Sequence, residues 1–142
     1  MSLTVLIDTN VMMVALSPLS NLHWIYKDII NNEFRLAISN EILLEYEEQV
    51  AKRYSKEIVS DFLLILFEAP NVIHCESYFK WNLITQDADD NKFSDCALSS
   101  SADYLITHDK HFDVLKRIKF PLIKVINAFE FEAVMKNKRK NK

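Results

Sequence analysis

Asp8, Glu45, Asp90, Asp95 and Asp109 stand where apolar runs end or where helices are expected to begin. Asp8 follows Leu3-Thr4-Val5-Leu6-Ile7, and Asp109 follows Tyr104-Leu105-Ile106-Thr107-His108. Asp90 and Asp95 belong to the run Asp87-Ala88-Asp89-Asp90-Asn91-Lys92-Phe93-Ser94-Asp95, and Glu45 lies on the helix expected after Arg35-Leu36-Ala37-Ile38-Ser39. A carboxylate just beyond a buried strand is costly unless a donor or a positive charge meets it. One such acid would be a helix cap. Several gathered at one sheet edge would suit a divalent ion, and Mg²⁺ and Mn²⁺ prefer carboxylate oxygen. The chemistry expected is that of a metal-dependent nuclease.

Each acid also has a plainer reading. Asp8 would cap a helix starting near Asn10, although Thr9 or Asn10 would cap it equally well. Asp109 would cap the short helix after it and neutralise Lys110. Thr107, two residues earlier, is placed to donate a hydrogen bond to an acid or a phosphate in the same crevice. Asp113 is read as exposed surface, and His108 as an incidental exposed imidazole. Asp95 sits in Phe93-Ser94-Asp95-Cys96-Ala97-Leu98, which otherwise reads as core helix; an acid there needs a partner, and a metal ion would be one. Among Asp87, Asp89 and Asp90, capping and turn formation account for some, and Asp90 is best placed for the site. On the helix after Ser39, Glu41, Glu45, Glu47 and Glu48 compete. The stripe Ile42, Tyr46 and Val50 flanks both Glu45 and Glu47, so periodicity leaves that choice open.

The elements that must position these acids alternate strand and helix. Strands are expected over Leu3 to Ile7, Leu36 to Ser39, Val72 to His74, Tyr104 to Thr107 and Ile123 to Ile126. Helices are expected over Asn10 to Leu16, Asn21 to Asn31 with Asn21 as N-cap, a stretch capped by Ser39 or Asn40 and running to about Tyr54, Lys56 to Ala69, Asp90 to Ser101, Asp109 to Ile118 and Ala128 to Met135. Trp81 to Gln86 reads as irregular. This alternation predicts an α/β domain with a parallel sheet covered on both faces. Ligands of such sheets bind beyond the carboxyl ends of the strands, where Asp8 and Asp109 fall.

The 142-residue chain is long enough for one domain with a real core, expected over 1–135, followed by a basic, disordered tail over 136–142. That end, Lys136-Asn137-Lys138-Arg139-Lys140-Asn141-Lys142, is a solvated terminus or a phosphate-contacting tail. A hydrophobic share of 49% with 26% charged residues fits a globular protein, and no apolar run nears the roughly 20 residues of a membrane span. With no basic leader and cleavage site at the start, a cytoplasmic protein is expected. Cys75 and Cys96 have no ligand spacing and read as reduced, buried thiols. The net charge of −3 excludes a globally basic nucleic-acid coat but not an acid-site nuclease. The chain has no glycine, which excludes phosphate-cradling P-loops and dinucleotide fingerprints; Asn and Asp must take the turn conformations instead.

Taken together, Ile7-Asp8-Thr9-Asn10-Val11, Ser39-Asn40-Glu41-Ile42-Leu43-Leu44-Glu45-Tyr46, Asp89-Asp90-Asn91-Lys92-Phe93-Ser94-Asp95 and Ala102-Asp103-Tyr104-Leu105-Ile106-Thr107-His108-Asp109-Lys110 resemble the PIN-domain family. The likeness is to its bacterial branch of toxin–antitoxin toxins, the VapC-like ribonucleases. It implies a PIN-like three-layer α/β/α sandwich with a central parallel sheet, and four acids binding Mg²⁺ or Mn²⁺. Carried over position by position, these fall on Asp8, Glu45, Asp95 and Asp109, with Asp90 as an additional acid. The resemblance thereby selects Glu45. Two departures stand out: His108 occupies a position usually held by Gly or Asn, and Ala88 replaces a frequent Pro.

The function implied is divalent-metal-dependent hydrolysis of single-stranded RNA by the toxin of a toxin–antitoxin pair, with Asn10 and Thr107 in support. Lys92 and Lys110 would contact RNA, and Phe112 would either stack a base or lie in the core. An antitoxin from a neighbouring gene and a homodimer are the partners implied. The alternative is a non-catalytic PIN-like module that binds RNA or protein; the intact acid set speaks against it. A haloacid-dehalogenase phosphatase would want Asp where Asn10 stands, and a receiver-like domain would want a buried lysine that Lys110 does not supply.

Overall fold

The computed structural model describes residues 2–76, 79–84 and 88–141. Thr85, Gln86 and Asp87, read above as irregular or as the head of the acidic run, lie outside the described residues, as does Lys142 of the basic end.

Strand β1 (Thr4–Ile7) is buried at all four positions, which is why its sequence shows no polar alternation. It is followed by α1 (Thr9–Ala15), α2 (His23–Ile30), β2 (Arg35–Ile38), α3 (Asn40–Arg53), α4 (Lys56–Glu68) and β3 (Val72–His74). A 3₁₀ turn at Ala88–Asp90 leads into α5 (Asn91–Ser99) and β4 (Tyr104–Ile106). A longer 3₁₀ stretch, Lys110–Arg117, precedes β5 (Val125–Ile126) and α6 (Ala128–Lys140). Every strand pairing is parallel, in the order β3-β2-β1-β4-β5. The chain builds outward from β1 through β2 to β3, then crosses back to add β4 and β5 on the other side of β1. Strand order therefore reverses between β1 and β4, and a crevice opens there at the carboxyl edge. With helices on both faces, the architecture is the three-layer α/β/α sandwich that the sequence predicts. Among the described residues, no helix is long and apolar enough to cross a membrane.

Local chemistry explains the element starts. Ser39 and Ser55 cap α3 and α4, their hydroxyls accepting the amides of Ile42 at 3.3 Å and Ile58 at 3.4 Å. Asn21 does not cap α2: the helix starts at His23 after Leu22, whose amide donates to the Ser20 hydroxyl at 3.0 Å. The expected helix after Asp109 is a 3₁₀ helix over Lys110–Arg117.

Helix α6 also differs from expectation, because it continues through the basic run to Lys140 instead of ending at Met135. Asn127 and Glu130 close a reciprocal capping box at its start. Nothing in Lys136–Lys140 breaks a helix, and cations are favourable at a helix C-terminus. Arg139 pairs with the buried Asp28 of α2, which anchors the last turns of this helix.

Without glycine, left-handed backbone falls to Asn32, Asn82 and Ser101, with φ of 59°, 54° and 54°. Ser101 ends α5 in a Schellman turn, in which the Ala102 amide donates to the Ala97 carbonyl at 2.9 Å and the Ser101 amide to the Leu98 carbonyl at 3.2 Å. Serine there carries a strain that glycine would avoid.

Candidate active site

Asp8 leaves the end of β1 as the residue before α1, and it is buried. Its side chain makes no cap bond, so the plain capping reading fails for this acid. The hydroxyl of Thr107, at the end of neighbouring β4, donates to Asp8 Oδ2 at 2.9 Å. Burial pushes the Asp8 carboxyl above its ordinary pKa; the Thr107 hydrogen bond opposes this, and the charges of Asp109 and Glu45 add to it. Thr107 has a second task, its Oγ1 accepting the Asp109 amide at 3.0 Å. One threonine thus ties the first acid to the loop carrying another.

Glu45 is brought to this edge by its neighbour Tyr46. Tyr46 is wholly buried, and its hydroxyl donates to the carbonyl of Ile7, fixing α3 against the end of β1. Glu45, the adjacent residue, then receives the Thr9 hydroxyl, while Glu47 points to solvent. The tertiary contact sets Glu45, and not Glu47, beside the end of β1.

Lys92 is not the outward RNA contact expected of it. Its side chain is only 6% exposed, and its ammonium lies 2.7 Å from Glu45 Oε1 and 2.8 Å from Asp89 Oδ2. The bond from Lys92 lowers the Asp89 pKa, and the two carboxylates raise that of Lys92 against its desolvation. Lys92 is an internal counter-ion.

Asp109 both caps and converges. Its Oδ1 accepts the His111 amide at 2.9 Å, as the plain reading predicts. In addition, one ligand atom from each of Asp90, Asp109 and His111 lies within 4.8 Å of the others. The His111 Nδ1 is 3.5 Å from a carboxylate oxygen of each acid. Sequence reading missed His111; its position two residues after Asp109, inside a short capped turn, was the only available signal. Two carboxylates and an imidazole form an oxygen-rich donor set, and the spacing needs little contraction to hold Mg²⁺ or Mn²⁺.

Asp95 has other neighbours. It is buried in α5, as its sequence context implies, but its Oδ1 accepts the Trp81 amide at 3.1 Å. Burial raises its pKa, and the charges acting on it are those of Lys80 and Glu41, whereas those acting on Asp8 are Asp109 and Glu45. Asp95 and Lys92 line a cleft of about 260 Å³ with Ser39, Lys80, Asn82 and Asp89.

The remaining candidates fall outside the acid group. Asn10 is exposed and borders a small apolar depression with Val14, Leu22 and His108. Lys110 is exposed and flanks a shallow pocket beside Asp109. His108 is not incidental: its Nε2 accepts the Ala128 amide at 3.2 Å, supporting the first turn of α6, and this gives the departure from Gly or Asn a structural reason. Phe112 is core, packed edge-on against Phe93 at 6.2 Å, so it cannot stack a base. Cys75 and Cys96 are free thiols, and burial pushes Cys96 up to about 12.

Comparison with known proteins gives the family and the fold. The PIN-domain family model matches residues 4–111, a span that holds Asp8, Glu45, Asp90, Asp95, Asp109 and His111. No curated protein matches the chain. Among solved structures, VapBC2 from Rickettsia felis, bound to a DNA fragment from their promoter, aligns with TM-score 0.60 at 20% identity, over 88% of this chain and 98% of that one. FitAcB from Neisseria gonorrhoeae aligns at 0.54 and 19% identity, over 88% and 98%. VapC20 from Mycobacterium tuberculosis, a sarcin-ricin loop cleaving toxin, aligns at 0.56 and 12% identity, over 77% and 92%. At such identities the likeness is one of fold. The family match spans most of the chain and every acid of the crevice, and on that ground the chain belongs to the PIN-domain family.

Proposed function

We propose that this protein is a divalent-metal-dependent ribonuclease that hydrolyses phosphodiester bonds of single-stranded RNA, and that it is the toxin of a toxin–antitoxin pair. The observation that supports the reading is that Asp90, Asp109 and His111 bring ligand atoms within 4.8 Å of one another, while the charges of Asp109 and Glu45 act on the buried Asp8. Family membership supports nuclease chemistry, and the VapC and FitB folds support the toxin assignment.

Asp8, Asp90 and Asp109 would hold Mg²⁺ or Mn²⁺, with His111 as a further donor and Glu45 completing the cluster. When bound, the ion supplies the charge that makes a water nucleophilic and offsets negative charge gathering on phosphate. Hydrolysis forms a bond from a water oxygen to phosphorus, breaks the bond to the leaving ribose oxygen, and delivers one water proton to that oxygen. Asp8, raised by burial, is a readier proton acceptor at neutral pH than an ordinary aspartate. Thr107 orients it, and Lys92 holds Glu45. Asp95 keeps the Trp81 loop against α5, and Lys110 is the exposed cation beside the site for phosphate. A homodimer, an antitoxin encoded nearby and a cytoplasmic setting complete the reading.

The test is cleavage of a labelled single-stranded RNA with Mn²⁺, comparing wild type, Asp8→Asn and an EDTA control. Cleavage that needs the metal and is lost in Asp8→Asn is the expected result. Equal cleavage by Asp8→Asn and wild type would end the proposal, and metal binding and RNA retention with no cleavage would favour a binding module.

A further inference from the structure

Three aromatic rings stand together outside the acid group. Phe79 and Trp81 lie 4.7 Å apart between centroids, and Trp81 and Phe120 lie 6.3 Å apart, both pairs edge-to-face. Phe79 is 62% exposed and Phe120 84%, and neither belongs to the core. Exposed apolar rings joined from two distant segments mark a contact surface, not scattered surface hydrophobics.

The segment that carries two of them is held firmly. Asp95, buried in α5, accepts the Trp81 amide. Asn91, also buried, exchanges two bonds with Ile84, accepting its amide and donating to its carbonyl, both at 2.9 Å. Two buried polar side chains of one helix thus anchor a segment without regular structure that carries the exposed Phe79 and the half-buried Trp81. A loop that merely connected elements would need no such anchors.

The surroundings indicate what the rings meet. Lys80 separates Phe79 from Trp81, and Lys119 precedes Phe120; both lysines are exposed. Rings interleaved with cations suit a strand with unpaired bases and a phosphate backbone, since bases stack on aromatic faces and phosphates seek cations. A protein partner with an apolar face would not call for that alternation.

We infer that Phe79, Trp81 and Phe120 form a stacking platform for unpaired bases of single-stranded RNA. The inference rests on the nuclease reading for its choice of RNA, and it adds a substrate-gripping surface to it.

The test is fluorescence anisotropy of the full chain in EDTA, where metal-dependent cleavage is off. The probes are a labelled single-stranded RNA of mixed sequence and an abasic oligomer of equal length. Wild type is expected to bind the base-bearing probe more tightly. Phe79→Ala and Phe120→Ala each weaken that probe by about tenfold, matching one lost base stack, and leave the abasic probe unchanged. Phe120→Tyr keeps the ring and retains the affinity. Both rings are exposed, so these variants are expected to fold. Unchanged affinity in the Phe79→Ala/Phe120→Ala double variant overturns the platform, and if that variant still cuts RNA the nuclease reading survives. A shift of the double variant from dimer to monomer with RNA affinity unchanged also overturns it, in favour of a contact with a second copy. Base-dependent binding by a wild type that cuts nothing in Mn²⁺ upholds the platform and ends the nuclease reading instead.

Discussion

Glu45 and Asp89 share the buried ammonium of Lys92, whereas Asp8, one strand end away, has a threonine hydroxyl and a backbone amide to offset its charge. The consequences are opposite. Asp89 is pulled below its ordinary pKa by its cation, and Asp8 is pushed above it by burial and by neighbouring acids. One arm of the crevice carries its own counter-ion. The other brings Asp90, Asp109 and His111 within 4.8 Å of one another, and the charge of Asp109 acts on the buried Asp8. Under the proposed function, the second arm is where a cation from solution would be held.

The largest effect expected from breaking this contrast is on activity. Removing the metal or one first acid abolishes cleavage, so EDTA-treated wild type and Asp8→Asn should both fall to background in the RNA assay. Thr107→Val keeps every acid but frees Asp8 and the Asp109 loop; loss of such a supporting bond lowers activity about 10- to 100-fold. Unchanged rates in Thr107→Val would show that Asp8 orients itself.

On stability the arms should separate. Ligand binding to the folded state alone adds about 2.7 kcal/mol at a hundredfold excess over Kd. Mn²⁺ should therefore raise the Tm of wild type and not that of Asp109→Asn, measured by thermal denaturation. Lys92→Met acts on the other arm, leaving Glu45 without its bonded cation and lowering stability by about 2 kcal/mol in urea denaturation. A neutral result there would mean that solvent already screens the pair.

The pH dependence of Asp8 has a definite sign. Its folded pKa is raised, so its contribution favours folding below the unfolded value near 3.8 and is lost as pH climbs through the folded pKa. Apo Asp8→Asn should then be more stable than apo wild type at neutral pH, with the gap closing in acid. Metal binding by wild type should strengthen over the same rise, as the carboxyl loses its proton. A gap that widens in acid would contradict the raised pKa.

The smallest effect lies away from both arms. Ser101→Gly relieves left-handed backbone at the end of α5 and should stabilise by about 1 kcal/mol with no change in cleavage. It serves as a control that stability and activity move independently.

How far the site was readable depends on distance along the chain. Asp8, Thr107 and Asp109 were legible because each follows a short apolar strand, and parallel strands bring their ends to one edge whatever the details. The need of Asp95 for a partner was legible too, since an acid in a core helix declares its own desolvation. Its partner was not: the amide of Trp81 arrives from a segment with no periodicity to predict its path. Glu45 and Glu47 were indistinguishable because a helical wheel gives the buried stripe, not what packs beside it. Lys92 looked like any surface lysine, since its burial depends on how α3 meets α5. His111 stayed hidden because one exposed imidazole carries no pattern.

The sequence by itself determined the alternation of strands and helices, the buried central strand and the positions of the strand-end acids. These follow from local terms: apolar runs, caps, turn residues and the absence of glycine. Tertiary structure decided which glutamate joins the acids, which lysine turns inward, that α6 runs on through the basic end, and which rings share a surface. Those outcomes hang on contacts between residues tens of positions apart, such as Tyr46 with Ile7, Lys92 with Glu45 and Arg139 with Asp28. Local pattern fixes the direction a side chain leaves its element; only the packed chain fixes what it meets.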